Sequence, residues 1–435
     1  MTGSTLRHVL LGSCAACALL VGPDAATAGG FSVREQSTEF QGMSFAGNAA
    51  SGGGLSAMFW NSAAAAYAPA HLYSENHAAY IMGNSEITAG AGSTLLALGA
   101  ESGDIARDAL VPASYMSTRF DNGLVFAFAT SSPFGLTTEP SNRNWAGQTF
   151  ARTSEIKTCN FNPTLAYRVT STIAVGVGLQ IQHIEGRLKS AADATIASPN
   201  VAIRGDDTAF GFTAGVMFTP NAGTSIGIGF RSAIDHTLEG TALLTGGAPF
   251  TTAMKAGVTL PEIVTVSLRQ ALTPQLTLLG TVEWANWSRL EKLDVTCANT
   301  LPNPVFCPSG NGETIRSLQL SWHDSWMFAV GAEYAYSPAL TLRGGVAYEI
   351  SPIQNADERT LRVPDADRIW ASVGATYKWS ENIAFDVAYS HIFVDDAPID
   401  RTEGGVRFVG SAETSVDIVS VSLKMKVGSI GELFK

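Results

Sequence analysis

Residues 361–399 read LRVPDADRIWASVGATYKWSENIAFDVAYSHIFVDDAPI. From Ile369 the odd positions carry Ile369, Ala371, Val373, Ala375, Tyr377 and Trp379. The even positions carry Trp370, Ser372, Gly374, Thr376 and Lys378. After Ser380-Glu381-Asn382 the same phase returns, with Ile383, Phe385, Val387 and Tyr389 set against Ala384, Asp386, Ala388 and Ser390. A period of two with one apolar face is the signature of a strand, and a short polar turn between two such runs makes a hairpin.

The unit recurs along the chain. Strands are expected near Tyr73–Thr88, Asp108–Arg119, Gly123–Ser132 and Ile156–Thr170, then from Ile173, across Phe210–Phe218 and across Ile226–Phe230. Further ones follow from Val264, from Leu276, from Trp326 and from Leu340, then the opening hairpin and Thr414–Val427. The total is about fourteen. Short turns such as Thr219–Gly223, Thr273-Pro274 and Ser337-Pro338 alternate with long polar loops at Leu136–Arg152, Ser232–Gly257, Arg289–Ser317, Ser351–Asp367 and Asp395–Ala412. An even strand number with alternating short turns and long loops is the pattern of a bacterial outer-membrane barrel. Tyr167, Phe218, Tyr334, Tyr336, Tyr377, Trp379 and Phe385 sit beside the short turns, where an interfacial aromatic girdle belongs.

A water-soluble sandwich would also alternate, but its outward face would be rich in Lys and Glu. Here the minor face is Gly, Ser, Thr, Ala and Gln, and charged residues make up only 15% of the chain. The longest uncharged stretch, between Glu39 and Glu75, holds too many Gly, Asn and Pro residues for a lipid-facing helix.

Ahead of the strands, Arg7 and His8 precede an apolar run from Val9 to Val21, and Ala26-Thr27-Ala28 offers small residues before Gly29. Residues 1–28 therefore read as a secretory signal peptide cut after Ala28. Leu11-Gly12-Ser13-Cys14 loosely resembles a lipobox, but cleavage there would leave too short an apolar region. Residues 29–70, rich in Gly, Ala, Ser and Asn with a short Ala63–Ala66 run, lack alternation and read either as an arm or as a compact segment that occupies something. Residues 71–435 form the barrel.

The net charge of −11 argues against a nucleic-acid partner. Cys297 and Cys307 flank a Pro/Asn-rich loop and are expected to form a disulfide in an oxidising compartment, while Cys159 is left odd. No metal site is legible, and no cofactor is expected. His183, His236, His323 and His391 lie far apart in sequence, no Ser/His/Asp arrangement is legible, and no enzyme activity is expected.

Leu320-Ser321-Trp322-His323-Asp324, the run GAEYAYSPALTLRGGVAYEISPI, and Val363-Pro364-Asp365-Ala366-Asp367-Arg368 with Trp370 resemble the outer-membrane long-chain fatty acid transport proteins, a family that also includes aromatic-hydrocarbon uptake channels. The resemblance continues through LPEIVTVSLRQALTPQLTLLGTVEWANWSRL, FNPTLAYRVTSTIAVGVGL, Phe134-Gly135-Leu136 and the N-terminal GGFSV, covering nearly the whole mature chain. It implies an all-β transmembrane antiparallel barrel of fourteen strands, with an N-terminal hatch in its lumen. Residues 29–70, including Gly52, Gly53, Gly54 and Asn61, become that hatch. Pro133, Phe134 and Gly135 match an inward kink of the third strand that opens the wall sideways, and Phe31 matches a terminus that reaches into a hydrophobic pocket. The family has Asn-Pro-Ala near the end of the hatch where this chain has Asn61-Ser62-Ala63.

The implied activity is passive uptake of a hydrophobic small molecule, most naturally a long-chain fatty acid, by capture among external loops and lateral release into the bilayer. Leu243, Leu244 and Phe250 are the apolar loop residues suited to capture. A carboxylate would want a cation, and Arg231, Arg269, Arg343 and Arg368 fall on minor faces; Arg343 could equally pair with Glu333 on the next strand. Trp322-His323-Asp324 itself reads as strand-edge structure. The surroundings would be outer-membrane lipid and lipopolysaccharide, and a monomer is expected. A general diffusion porin, which needs an open lumen, and a surface adhesin, in which only the loops matter, are the competing readings.

Overall fold

The computed structural model describes residues 29–50, 54–69, 72–196, 198–245, 250–299 and 305–427. The signal segment, Gly52, Gly53 and the tail beyond Val427 lie outside them. Among the described residues fourteen strands pair antiparallel in a closed ring. They are β1 Leu72–Ala89, β2 Ala109–Arg119, β3 Val125–Ser131, β4 Thr153–Arg168, β5 Ile173–Ala191, β6 Asn200–Asn221, β7 Thr224–Arg231, β8 Ile263–Ala271, β9 Leu276–Ala285, β10 Ser325–Ala335, β11 Leu340–Ile350, β12 Arg368–Lys378, β13 Ile383–Val394 and β14 Val406–Val427. β1 closes the ring against β14 in unbroken register, from Leu72 opposite Val427 to Ala89 opposite Gly410. Closure satisfies the backbone without water, which is the condition for strands to cross lipid. No helix among the described residues is long and apolar enough to cross a membrane.

The opening hairpin is β12 and β13, with Ile369 opposite Phe393 and Tyr377 opposite Phe385. Ile369, Val373, Tyr377 and Val387 point outward and are exposed, whereas Trp370, Ser372 and Thr376 are buried on the inner side. The alternation is thus inverted relative to a soluble protein: apolar side chains meet the surroundings and polar ones face the interior. Tyr334, Tyr336, Tyr377, Trp379 and Phe385 are exposed at the short-turn end. At the other end Tyr80, Tyr348 and Tyr389 are exposed, and their phenols donate to Asp108 (2.7 Å), Asp367 (2.8 Å) and Asp417 (2.6 Å). Rings in lipid with hydroxyls held by carboxylates fit the two interfaces of a membrane.

The long loops are more ordered than their polarity suggests. In and just past the Ser232–Gly257 loop, Ile234–Thr245 pairs with Phe250–Leu260 and continues the sheet from the outer end of β6. Lys292–Cys297 and Thr314–Gln319 extend the same sheet. β5 and β6 are 19 and 22 residues long, well beyond the ~9–11 that cross a bilayer, so they carry the barrel wall outward as a collar. Cys297 and Cys307 are joined by a disulfide within this collar, with Cα atoms 6.2 Å apart.

Residues 29–50 and 54–68 are almost entirely buried and bond to inward-facing groups around the ring. Leu55 and Ser56 donate their N–H groups to the Glu75 carboxylate on β1 (2.7 and 2.8 Å). Gly47 N–H donates to Thr281 on β9, Ala49 N–H to Ser267 on β8, and Ser44 Oγ to Ser372 on β12. The Ala63–Ala66 run forms a turn of 3-10 helix, Ser62–Tyr67, capped by Asn61. Asn61 also donates to Ala49 O (2.8 Å) and to Val216 O on β6 (3.0 Å), and Ser62 Oγ donates to Thr213 (2.7 Å). Ser62 in place of proline therefore gains a bond to the wall. The wall is cut back to receive this segment: a Cβ on Gly227 would lie 1.8 Å from Ala49 O, and one on Gly229 would lie 1.7 Å from Trp60 O.

Candidate functional site

The third strand ends at Ser131, and pairing with β4 resumes only at Gly135. β2 and β3 pair only from Arg119 opposite Val125 up to Ser114 opposite Thr130. Above that level Ala109–Ala113 keeps its ladder to β1, but among the described residues it has none to β3. The wall closes again higher up, where Ala106 bridges to Thr138 and Glu139 N–H donates to Ile105 O (2.8 Å). Between these two levels the β2–β3 seam has no ladder pairing among the described residues, and this unpaired stretch is termed the window.

On the other side of β3, Ser131 faces Asn160 and Gly135 faces Lys157. Ser132, Pro133 and Phe134 therefore stand opposite only Thr158 and Cys159, which is a bulge that bends the strand inward. The backbone groups freed by the bend must find partners, and the N-terminal segment supplies them. Val33 N–H donates to Pro133 O (2.8 Å), and Gly135 N–H donates to Phe31 O (2.9 Å). The Gln36 side chain accepts from Ser132 N–H and donates to Ser132 O.

This pairing carries Phe31 into an apolar cluster. Its ring centroid lies 6.1 Å from Phe134, 4.7 Å from Trp287 and 5.7 Å from Trp322. Leu136, Ile184, Leu238, Leu260 and Val363 complete the packing. Gly30 precedes it at φ +64, a left-handed backbone, and a Cβ there would lie 2.9 Å from the Trp322 ring. Ser321 takes φ 53, and the chain turns there so that Trp322 is buried in this cluster. Trp322, three residues ahead of β10, is thus a buried member of this cluster as well as part of the strand edge. Asp324 accepts from Trp284 Nε1 (2.9 Å), and His323 contacts Glu358 (3.1 Å). Trp287, inside WANWSRL, was legible only as part of a family segment.

Beneath the cluster lies a buried charge network. Arg34 pairs with Glu283 (2.9 Å) and Glu349 (2.8 Å), and Arg368 pairs with Asp365 and Glu349. Gly29 N–H reaches Glu349 Oε1 at 3.1 Å, and Gly30 N–H reaches Asp365 Oδ2 at 2.8 Å.

The remaining expected site residues are not brought here. Leu243 and Leu244 stand opposite Thr251 and Phe250 in the collar hairpin. Leu243 lines a groove of about 850 Å³ with Lys157, Glu185 and Arg204, separate from the aromatic cluster. Arg343 borders a polar cavity of about 1300 Å³ at the short-turn end. It pairs with Glu333 (2.9 Å) and Glu39 (3.5 Å), and Lys424 joins Glu39 to Asp386. Arg231 donates to Phe59 O, and Arg269 pairs with Glu333. Of the glycines expected in a hatch, Gly54 is described, and a Cβ there would lie 2.8 Å from Glu39 Oε2.

Comparison with known proteins agrees with this geometry. Residues 19–426 match the family model described as outer membrane protein transport protein (OMPP1/FadL/TodX). The long-chain fatty acid transport protein of Escherichia coli O6:H1 is 24% identical over 360 residues, covering 74% of this chain and 78% of that protein. The crystal structure of a Pseudomonas aeruginosa FadL homologue matches with a TM-score of 0.82 at 23% identity, over 92% of this chain and 100% of that one. The Ralstonia pickettii toluene transporter TbuX matches with a TM-score of 0.65 at 16% identity, over 90% and 99%. A closed fourteen-strand wall and a family match across nearly its whole length lead to one conclusion: this chain is an outer-membrane β-barrel that belongs to the outer membrane transport protein family of OMPP1, FadL and TodX.

Proposed function

We propose that this protein takes up hydrophobic compounds passively across the outer membrane, with long-chain fatty acids as the substrate class, and releases them sideways through the β2–β3 window. One observation carries the reading. The segment that fills the aromatic cluster with Phe31 is the same segment that pairs with the bent β3 beside the window. Displacing Phe31 with an apolar ligand therefore empties the pocket and loosens the window edge in one movement. Residues 29–70 act as the hatch that keeps water-soluble solutes out. Residues 1–28 act as the signal peptide; cleavage after Ala28 makes the Gly29 nitrogen an α-ammonium beside the Glu349 carboxylate. Outer-membrane lipid and lipopolysaccharide surround the wall of a single chain.

A fatty acid rather than a bare hydrocarbon is favoured by two indole N–H groups. Trp287 Nε1 and Trp322 Nε1 are buried without an acceptor among the described residues, and a carboxyl oxygen supplies one. The aromatic character of the cluster supports a second reading, uptake of aromatic hydrocarbons, because rings stack well on Phe31, Phe134, Trp287 and Trp322. The test is uptake of labelled oleate and toluene by cells that depend on this protein. Oleate uptake is expected to exceed background and to vanish when β3 is made regular. Toluene uptake with no oleate uptake selects the second reading. Large steady conductance in planar bilayers sinks both in favour of a porin.

A further inference from the structure

Three side chains stand side by side on the inner wall at the lower lip of the window. Ser131 on β3 faces Asn160 on β4, and Asn160 faces Gln182 on β5. All three are buried, and Ser131 Oγ, Asn160 Oδ1 and Gln182 Oε1 have no hydrogen-bond partner among the described residues. Directly above the row lie Phe134, Leu136, Ile184 and Leu238 of the aromatic cluster.

The amide orientations follow from what each is bound to. Arg231 can only donate, and it donates to Gln180 Oε1. The same oxygen accepts from Asn160 Nδ2 (3.1 Å), so the unpartnered atom of Asn160 is its carbonyl oxygen. Asp207 Oδ2 accepts from Thr237 N–H and faces His236 Nδ1 at 2.9 Å, so His236 carries its proton on Nδ1. Burial pulls this imidazole below its usual range and keeps it neutral, so Nε2 is an acceptor. Gln182 Nε2 donates to it (3.2 Å), which leaves Gln182 Oε1 unpartnered. Two independent relays thus end in carbonyl oxygens in adjacent positions, with a serine hydroxyl beside them.

We propose that this row is a head-group station on the exit path, selective for substrates whose polar end carries an O–H, namely long-chain alcohols and carboxylic acids in their protonated form. Two carbonyl acceptors disfavour a carboxylate and receive a hydroxyl proton, while the Ser131 hydroxyl donates to the same oxygen. The apolar tail lies against the cluster above. The inference rests on the uptake reading, since it assumes an amphipathic ligand inside the barrel.

The test compares binding of 1-dodecanol and of 1-methoxydodecane to the purified full-length protein in detergent. The two probes share a chain and an oxygen acceptor, and differ in the O–H. The alcohol is expected to bind about tenfold tighter, the factor for one net hydrogen bond. Gln182→Met and the double variant Asn160→Leu/Gln182→Met, which remove the carbonyl acceptors of the O–H, are expected to reduce that preference while ether binding stays unchanged, which also shows that the variants are folded. Equal binding of alcohol and ether by the unaltered protein would overturn the station, with water alone filling the row. A preference that survives in the double variant would overturn it as well. Failure of both probes to bind the unaltered protein would overturn the uptake reading along with it.

Discussion

At the scale of single residues, Phe31 and Arg343 separate two kinds of candidate. Phe31 is packed by three other rings and anchored by backbone bonds on either side, so its removal leaves a hole. Phe31→Ala is expected to cost on the order of 3–5 kcal/mol of local stability. The Val33 and Gly135 amides, which bond to Pro133 O and Phe31 O, report it directly. Their hydrogen exchange is expected to accelerate while β12–β13 amides remain protected; unchanged exchange would show that Phe31 does not hold the segment. Arg343 has the opposite profile. Its guanidinium is already committed to Glu333 and Glu39. Arg343→Ala takes one of two cations from each carboxylate, since Glu333 keeps Arg269 and Glu39 keeps Lys424, so the cost falls below the roughly 3–5 kcal/mol of a fully broken buried pair. A lower melting temperature with unchanged affinity for fatty acid is expected, whereas loss of binding in a barrel of normal stability would make Arg343 a ligand contact.

At the scale of elements, the bend in β3 and the glycine face of β7 are the informative features. Because three residues of β3 stand opposite two of β4, swapping Pro133-Phe134-Gly135 for valine and threonine does not by itself restore the ladder. A regular strand also needs one residue removed. That shortened, regular β3 is expected to zip against Ala109–Ala113 and abolish uptake while the heat-modifiable gel shift of the folded barrel persists. Normal uptake in that variant would refute the sideways exit. In β7, Gly229 is a footprint of the N-terminal segment rather than a requirement of the strand, since its backbone is extended and its missing Cβ makes room for Trp60 O. Gly229→Ala is therefore expected to leave the barrel folded and raise permeability to large antibiotics. Unchanged antibiotic sensitivity would mean that the segment does not seal the lumen there.

At the scale of the whole molecule, the protein is a lipid-facing wall with a buried, hydrogen-bonded filling. The filling bonds to β1, β6, β8, β9 and β12, so it is held from many sides and no single contact carries it. Removal of residues 30–54 is expected to leave the wall intact and to convert the protein into a leaky pore, read as stepwise conductance in planar bilayers. A deletion variant as tight as the full chain would show that the collar, not the filling, closes the barrel.

The sequence by itself determined the wall. Period-two alternation, clearest in β5, β12 and β13, placed most of the staves, because a strand in lipid states its orientation at every second residue; β3, apolar on both faces, was placed by the turn residues that bound it. Pro133 and Gly135 also marked the interrupted strand, since neither supports a regular ladder. Tertiary structure alone decided what meets inside. Phe31, Trp287 and Trp322 lie in distant parts of the chain and were legible only as a terminus and two family segments; their contact depends on the positive φ of Gly30 and Ser321 and on the ring having closed. The polar loops became collar strands because pairing with the long β6 offered their backbones a partner that local composition does not encode. Ser131, Asn160 and Gln182 were ordinary minor-face residues until register set them in one row and their neighbours fixed which atoms went unpartnered. Alternation is a local property of the chain, whereas a pocket is made of residues that only long-range pairing brings together.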